Sequence, residues 1–182
     1  LLDNMDGLCG GIALIAGTAF LVTVLPVPAD SPLFLQAQYL AILLGAIAGF
    51  LVYNVYPASV AMGEAGSLLI GLNMAVMTLG VAPGRGSDLL AIIAVPALLL
   101  LIPIVDAALV AFSRMAAGPV AATGQSHSSH RLVAIGLSER AAVGLLWLLA
   151  AASGGLAVLA GRGQQGLTGV MAVMFMIGMG FF

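Results

Sequence analysis

The sequence predicts an all-α integral membrane protein of about six transmembrane helices, with its functional loops on the cytoplasmic side. Two observations of composition predict this class: 62% of the 182 residues are hydrophobic, and only 7% are charged. An ordinary soluble domain carries roughly 25% charged residues to solvate its surface, so most of this surface must face lipid. The third observation is a series of apolar stretches that can be compared with the roughly 20 residues a helix needs to cross a bilayer.

The first three predicted spans lie in the first half of the chain. The first runs from about Leu8 to Leu25 and stops at Pro26, because proline cannot continue the helix. The second runs from about Leu33 to Tyr53. The third covers Leu68 to Val81, which is short but extendable, and ends at Pro83.

The last three predicted spans occupy the second half. The fourth covers residues 89–112, with Pro96 and Pro103 inside it, residues that kink helices but are tolerated in membranes. The fifth is Ala141–Ala160 and the sixth is Leu167–Phe182. Residues 1–182 are therefore predicted to form a single polytopic membrane domain.

The connections between spans sort the polar residues onto one face of the membrane. Because a hairpinned chain returns to the same side at every second connection, residues 1–7, 53–67 and 113–140 share a face. Three of the five arginines lie there, and the positive-inside rule makes that face cytoplasmic. This polar face receives most of the chemically useful side chains: Asp3, Asn4, Asp6, Asn54, Glu64, Arg114, His127, His130, Arg131, Glu139 and Arg140.

Charge and cysteine content exclude two classes of protein. The formal net charge is -2, whereas a nucleic-acid binder needs a basic face to neutralise phosphates, so no nucleic acid is expected as a partner. Cys9 has no partner in the chain, which excludes an internal disulfide scaffold.

The acidic residues of the polar face have two interpretations each. Asp3 and Asp6 fall on one face if that stretch is helical, and paired carboxylates suit Mg²⁺; alternatively they are a solvated chain end or cap the first span. Glu64 lies between Gly63 and Gly66, which permit close approach to a ligand or simply form a glycine-rich hairpin.

Composition alone also leaves two interpretations for the basic residues and two for the acid that lies within a span. His127, His130 and Arg131 favour a phosphate clamp over a zinc site, because zinc needs three or four protein ligands and Arg131 offers a bidentate fork; a solvated loop is the alternative. Asp106 interrupts an apolar run, which indicates either a functional site or a hydrated helix end.

Three stretches of the polar face carry recognisable motifs. They are Leu1–Leu8, with Asp-Asn-Met-Asp-Gly-Leu; residues 50–67, with Asn-Val-Tyr-Pro-Ala and Met-Gly-Glu-Ala-Gly-Ser; and residues 103–139, with His-Ser-Ser-His-Arg-Leu and Gly-Leu-Ser-Glu. In this order they resemble the polyprenyl-phosphate N-acetylhexosamine-1-phosphate transferases of glycosyltransferase family 4, which include the undecaprenyl-phosphate N-acetylglucosaminyl 1-phosphate transferases and the phospho-MurNAc-pentapeptide transferases.

The resemblance implies an activity and its partners. The expected reaction moves a sugar 1-phosphate, most closely N-acetylglucosamine 1-phosphate, from a UDP-sugar to a polyprenyl phosphate of the bilayer and releases UMP. This would be the first lipid-linked step of cell-envelope glycan synthesis. It implies a multi-pass protein of the inner (plasma) membrane, and a homodimer is left open.

The resemblance also implies roles for individual residues. Asp3 would be the ligand of Mg²⁺, with Mn²⁺ as the alternative metal, and Asp6 would lie beside it to position the acceptor or the nucleotide. His127, His130 and Arg131 would hold the diphosphate or the acceptor phosphate. Among these, the two aspartates and the two histidines are the implied catalytic residues.

Asn54 and Glu64 are implied to shape the nucleotide end, although the chain departs from the family in three respects. Glu64 stands where the family has Asp, and Ser126 where Asp commonly precedes the first histidine. The family's adjacent Asp-Asp pair, which lies upstream of these motifs, has no counterpart. The departures lead us to expect the C-terminal portion of a longer transferase. The alternatives are an inactive fragment of such an enzyme, a transporter or channel fragment, and an assembly module.

Overall fold

The computed structural model describes residues 3–25, 27–79, 95–117 and 127–161, and within these ranges it is helical with no strand. Six helices are α1 Leu8–Val24, α2 Pro32–Asn54, α3 Gly63–Leu79, α4 Leu101–Ala117, α5 Ser128–Ala134 and α6 Glu139–Gly161, and residues 95–99 form a further short helical segment before α4. The predicted all-α class is confirmed over the described residues. The predicted sixth span, Leu167–Phe182, and the start of the fourth lie outside them.

The ends of α1 and α2 follow from local sequence. Gly7 precedes α1 with a φ of 74°, a left-handed conformation that favours glycine. Ser31 caps α2 by accepting a hydrogen bond from the Leu33 N–H, and proline at the first helical position loses no hydrogen bond there. Both helices match the predicted first and second spans to within a residue or two.

The third helix begins five residues earlier than predicted. Its first residue is Gly63, whose φ is 73°, so the expected glycine-rich connection is shorter. Glu64 therefore lies in the first turn of α3, where the positive end of the helix dipole favours a carboxylate.

The fourth predicted span is interrupted. Residues 95–99 are helical, Leu100 is a turn, and α4 continues from Leu101. Pro103 explains the interruption, because its nitrogen cannot donate to the carbonyl of Leu99 and its ring crowds that turn. The predicted loop over residues 113–140 is also partly wrong, because α4 extends to Ala117 and α5 lies inside the loop.

Helix α1 packs against α2, α3 and α6, and α6 in turn packs against α4 and α5. The first half of α1 shares an apolar cluster with α4, α5 and α6, built on residues such as Leu8, Ile12 and Leu146. The second half shares another cluster with α2, α3 and α6, in which Phe20 and Met74 are buried. Consequently α1 and α6 form the centre of the described bundle.

Close helix contacts occur at glycines other than the expected pair. The Gly45–Gly49 spacing predicts a helix contact, yet a Cβ at either position would meet nothing within 4 Å among the described residues. A Cβ at Gly11 would instead clash with the indole of Trp147, so the aromatic ring of α6 lies directly on α1. Trp147 thus fills the space that Gly11 leaves between α1 and α6.

Two of the described helices are long and apolar enough to cross a membrane. They are the 22-residue stretches Leu33–Asn54 and Glu139–Ala160. Leu8–Val24, Gly63–Met77 and Leu101–Ser113 are apolar but shorter. The total of six spans and the sidedness of the loops stay predictions.

Replacing Gly11 by valine is expected to destabilise the bundle, because the new side chain would overlap the Trp147 ring and overpacking typically costs about 1–3 kcal/mol. Gly45→Val is the matched control: it changes the same residue types in another helix, where space is open. The free energies of unfolding of both variants in detergent micelles would be compared. Equal destabilisation at the two positions would contradict the assigned α1–α6 contact.

Candidate active site

Three chain segments distant in sequence are joined by hydrogen bonds at one end of the bundle. Asn4 donates through Nδ2 to the Ser129 hydroxyl at 2.8 Å. The Ala58 N–H donates to Asp6 Oδ2 at 2.9 Å, and the Gly7 N–H donates to Asn54 Oδ1 at 3.1 Å. The segment before α1 therefore holds both the connection after α2 and the start of α5, and we call these joined segments the polar end.

Gly7 has a backbone conformation that favours glycine. Its φ of 74° is strained for a residue with a side chain, whereas a Cβ there would lie at an ordinary contact distance, 3.5 Å, from the Val55 Cα. Its N–H is free to reach Asn54 because it stands before the first turn of α1, where helix donors have no intrahelical partner. The positive φ, rather than a lack of space, is therefore what requires glycine here.

Asn54 is a buried connector. The residue is 4% exposed, its carbonyl oxygen accepts from the Gly7 N–H, and its amide nitrogen donates to the Val60 carbonyl at 2.9 Å. Both halves of the amide therefore contact backbone atoms. The structure places Asn54 as a positioning group within the polar end, and a direct contact with a nucleotide stays a prediction.

Asp6 faces a cleft between the polar end and α6. One carboxylate oxygen accepts from Ala58, and Asp6 also lines a cavity of about 350 Å³ together with Tyr56, Glu139 and Trp147. The guanidinium of Arg140, another lining residue, lies 4.6 Å from the Tyr56 ring centroid, a favourable cation–π geometry. The cleft thus offers charges of both signs beside an aromatic wall.

Asp3 and Glu64 carry carboxylates that are not engaged with other described residues. Asp3 is half-buried and Glu64 is exposed. No three His, Cys, Asp or Glu side chains among the described residues lie close enough together to hold a metal ion. Magnesium commonly binds through one or two carboxylates, substrate phosphates and several waters, so a single carboxylate such as that of Asp3 fits the ion only together with phosphate and water oxygens.

His127 is oriented by a buried carboxylate. Its Nδ1 lies 2.8 Å from Asp106 Oδ2, and Asp106 is 1% exposed while the His127 side chain is 15% exposed. Asp106 Oδ1 accepts from both the Ser128 N–H and the Ser128 hydroxyl. This second acceptor explains why α5 begins at Ser128, since the first N–H groups of a helix need a partner outside it.

Asp106 lies on α4, within the third motif stretch, and holds the start of α5, one of the three segments of the polar end. The sequence signal was an ionisable residue inside an apolar run, and that signal is equally compatible with a hydrated helix end. Burial and three hydrogen bonds exclude the hydrated alternative. An apolar cavity between α4, α5 and α6 adjoins this carboxylate.

His130 and Arg131 lie on α5, directly after His127, which precedes its first residue. His130 is half-buried one turn after His127, and Arg131 is exposed and donates through Nη2 to the Ser113 hydroxyl of α4 at 2.6 Å. Ser113 itself donates to the Leu109 carbonyl. Arg131 keeps further guanidinium donors for an anion, so the imidazoles and the guanidinium are presented by the same short helix.

Comparison with known proteins gives one family match. The model of glycosyl transferase family 4 matches residues 1–82, the segment that contains loop residues Asp3 to Gly7 and Asn54 to Glu64. The match ends before the histidine-bearing segment. It therefore covers two of the three segments of the polar end.

Curated relatives extend the similarity over more of the chain. The Bacillus subtilis protein named "Probable undecaprenyl-phosphate N-acetylglucosaminyl 1-phosphate transferase" is 31% identical over 150 residues, which are 82% of this chain and 40% of the relative. Decaprenyl-phosphate N-acetylglucosaminephosphotransferase of Mycolicibacterium smegmatis is 36% identical over 162 residues, 80% of this chain and 39% of the relative.

A second branch of relatives matches a shorter segment. Phospho-N-acetylmuramoyl-pentapeptide-transferase of Carboxydothermus hydrogenoformans is 43% identical over 75 residues, which are 41% of this chain and 22% of the relative. The chain spans about two fifths of the length of the first relatives it matches.

Proposed function

The chain belongs to glycosyl transferase family 4, and from this we propose that the protein transfers N-acetylglucosamine 1-phosphate from a UDP-sugar to a polyprenyl phosphate and releases UMP. The names of the relatives that match most of the chain support the sugar and the lipid class. The proposed location is the inner membrane, with the polar end on the cytoplasmic side where nucleotide sugars are available.

The observation that carries the proposal is the hydrogen-bonded convergence of the three motif segments. Transfer requires an acceptor phosphate oxygen to attack the β-phosphorus of the UDP-sugar, while the bond from that phosphorus to the oxygen of UMP breaks. Negative charge spreads over phosphate oxygens during this exchange, so catalysis rests on positioning and on positive groups. The polar end brings carboxylates, imidazoles and a guanidinium to the same end of the bundle.

Each residue is proposed for the role that its side-chain chemistry suits. Asp3 would hold Mg²⁺, or Mn²⁺ as the alternative, and the ion when bound would neutralise phosphate charge. Asp6 would keep the segment before α1 in place through Ala58 and orient acceptor or nucleotide from the cleft. His127, His130 and Arg131 would bind phosphate oxygens, for which the planar guanidinium is well shaped.

Asn54 and Glu64 are proposed for the nucleotide end. Asn54 would act by fixing the backbone around Gly7, because its amide already contacts Gly7 and Val60. Glu64 projects from the first turn of α3, beside the segment that Asn54 holds. Its longer side chain would take the place of the aspartate that the resemblance implies.

The proposal is tested by product analysis. Membranes from cells that express the complete open reading frame would be incubated with UDP-N-acetylglucosamine, polyprenyl phosphate and Mg²⁺. We expect UMP and a lipid-linked N-acetylglucosamine diphosphate in equal amounts, and no product after chelation of the metal or without the lipid. Release of UDP in place of UMP would contradict the proposal, because it would mean transfer of the sugar without its phosphate.

A further inference from the structure

Asp106 has a geometry suited to orienting a ring rather than to binding substrate. It lies on α4 at 1% exposure, and its carboxylate reaches both His127 and Ser128 at 2.7–2.8 Å. Both carboxylate oxygens already accept hydrogen bonds from these two residues, so the partners of Asp106 lie within the protein. Any effect of Asp106 on the reaction must therefore act through His127 and Ser128, to which it is hydrogen-bonded.

The hydrogen bonds determine which imidazole nitrogen carries the proton. An ionised carboxylate only accepts hydrogen bonds, and Ser128 already donates twice to Oδ1. The ring therefore donates its Nδ1 proton to Oδ2. In the neutral ring this leaves Nε2, on the opposite edge, as the atom available to a partner outside the pair.

The same carboxylate also sets the position of α5. By accepting from Ser128 it fixes the first residue of the helix that carries His130 and Arg131. Ser129, the next residue, is fully buried and accepts from Asn4 of the segment before α1. The orientation of His127 and the approach of α5 to the carboxylate-bearing segment thus depend on one side chain.

We propose that Asp106 is a positioning residue that holds His127 in the tautomer with a proton on Nδ1 and directs Nε2 toward a phosphate group of the substrates. The inference rests on the proposed function for the identity of the phosphate. The tautomer and the ring orientation follow from the geometry alone. If Asp106 did not orient the ring, its replacement would change only the stability of the fold and not the tautomer of His127.

The variant Asp106→Asn separates the two roles. Its amide oxygen is expected to remain toward the two donors of Ser128, which leaves the NH₂ group facing His127. The ring must then accept through Nδ1 and carry its proton on Nε2. We expect UMP release to fall by roughly 100-fold or more, as expected when a catalytic imidazole is held in the wrong tautomer, while the thermal unfolding midpoint changes little.

A double-mutant cycle with His127→Ala tests whether Asp106 acts through the ring. We expect Asp106→Asn to change UMP release less than about twofold once His127 has been removed. If each substitution lowered UMP release by its own factor and the double variant showed the product of both factors, the proposal would be overturned. Asp30→Asn, which changes an exposed carboxylate in the α1–α2 connection, is the control and should retain wild-type release.

A second measurement does not depend on activity. Ring ¹⁵N chemical shifts of histidine-labelled protein in micelles report the tautomer, and the His127 signals are assigned as those that disappear in His127→Ala. We expect the His127 proton on Nδ1 in the wild type and on Nε2 in Asp106→Asn. An unchanged tautomer would overturn the inference. The expected tautomer shift in a protein that releases no UMP would instead overturn the proposed function and leave the orienting role of Asp106 intact.

Discussion

Asp3→Asn is expected to lower Mg²⁺-dependent release of UMP by roughly 100-fold or more, because the neutral amide would bind less tightly the ion that would neutralise developing phosphate charge. The substitution keeps the size of the side chain and removes its charge. Asp3 makes no hydrogen bond to another described residue, so the fold loses no hydrogen bond there. The thermal unfolding midpoint of the variant in detergent should therefore match that of the wild type.

The control for Asp3 is Asp30, an exposed aspartate in the turn between α1 and α2. It lies beyond the far end of the 17-residue helix α1, remote from the polar end. Asp30→Asn removes the same charge and should leave turnover unchanged. If Asp3→Asn released UMP at the wild-type rate, Asp3 would not be a ligand of the metal ion.

Asn54→Ala is expected to lower both stability and turnover. The truncation leaves the buried N–H of Gly7 and the carbonyl of Val60 without their partner. An unsatisfied buried group costs about 1–3 kcal/mol, and the Gly7 N–H is the buried one because Val60 is exposed, so a loss of roughly 1–3 kcal/mol in the free energy of unfolding is expected. Turnover should fall as well, because Asn54 joins the segment of Asp3 and Asp6 to the connection after α2.

Asn73→Ala provides the matched comparison for this variant. Asn73 lies on α3, accepts from the Tyr39 hydroxyl and donates to the Leu69 carbonyl, and both bonds are at the exposed surface of the bundle. Interhelical side-chain hydrogen bonds of this kind contribute about 0.6 kcal/mol on average in membranes. If Asn54→Ala and Asn73→Ala lowered the free energy of unfolding in detergent equally, Asn54 would not be the connector assigned here.

Hydropathy and proline positions were sufficient to predict most helices. Burying apolar surface in lipid requires long uncharged runs, so α1, α2 and α6 begin and end within two residues of the predicted spans. The start of α3 was missed because a carboxylate and two glycines look like a turn, although Glu64 stabilises the first turn from the positive end of the helix dipole. The break at Leu100 follows from Pro103.

The polar end could be predicted only in part. Motif order and the parity of the connections indicated that Asp3, Asn54 and His127 belong to segments on one face, and the three hydrogen bonds join these segments. The connecting atoms could not be predicted, because backbone groups of Gly7, Ala58 and Val60 carry no signature in their side chains. Helix α5 depends on a carboxylate 22 positions earlier in the chain, which no local pattern reveals.

The hydrogen bond between Asn4 and Ser129 spans 125 positions of the chain, and this separation governs the order in which the protein is made. A ribosome that adds roughly 5–20 residues per second synthesises Ser129 roughly 6–25 s after Asn4. During that interval α1, α2 and α3 are already synthesised, while the segment before α1 has no α5 to bind. The hydrogen bonds of the polar end can therefore be completed only after α5 has been made, and a nascent chain stalled before α5 lacks one of the three joined segments.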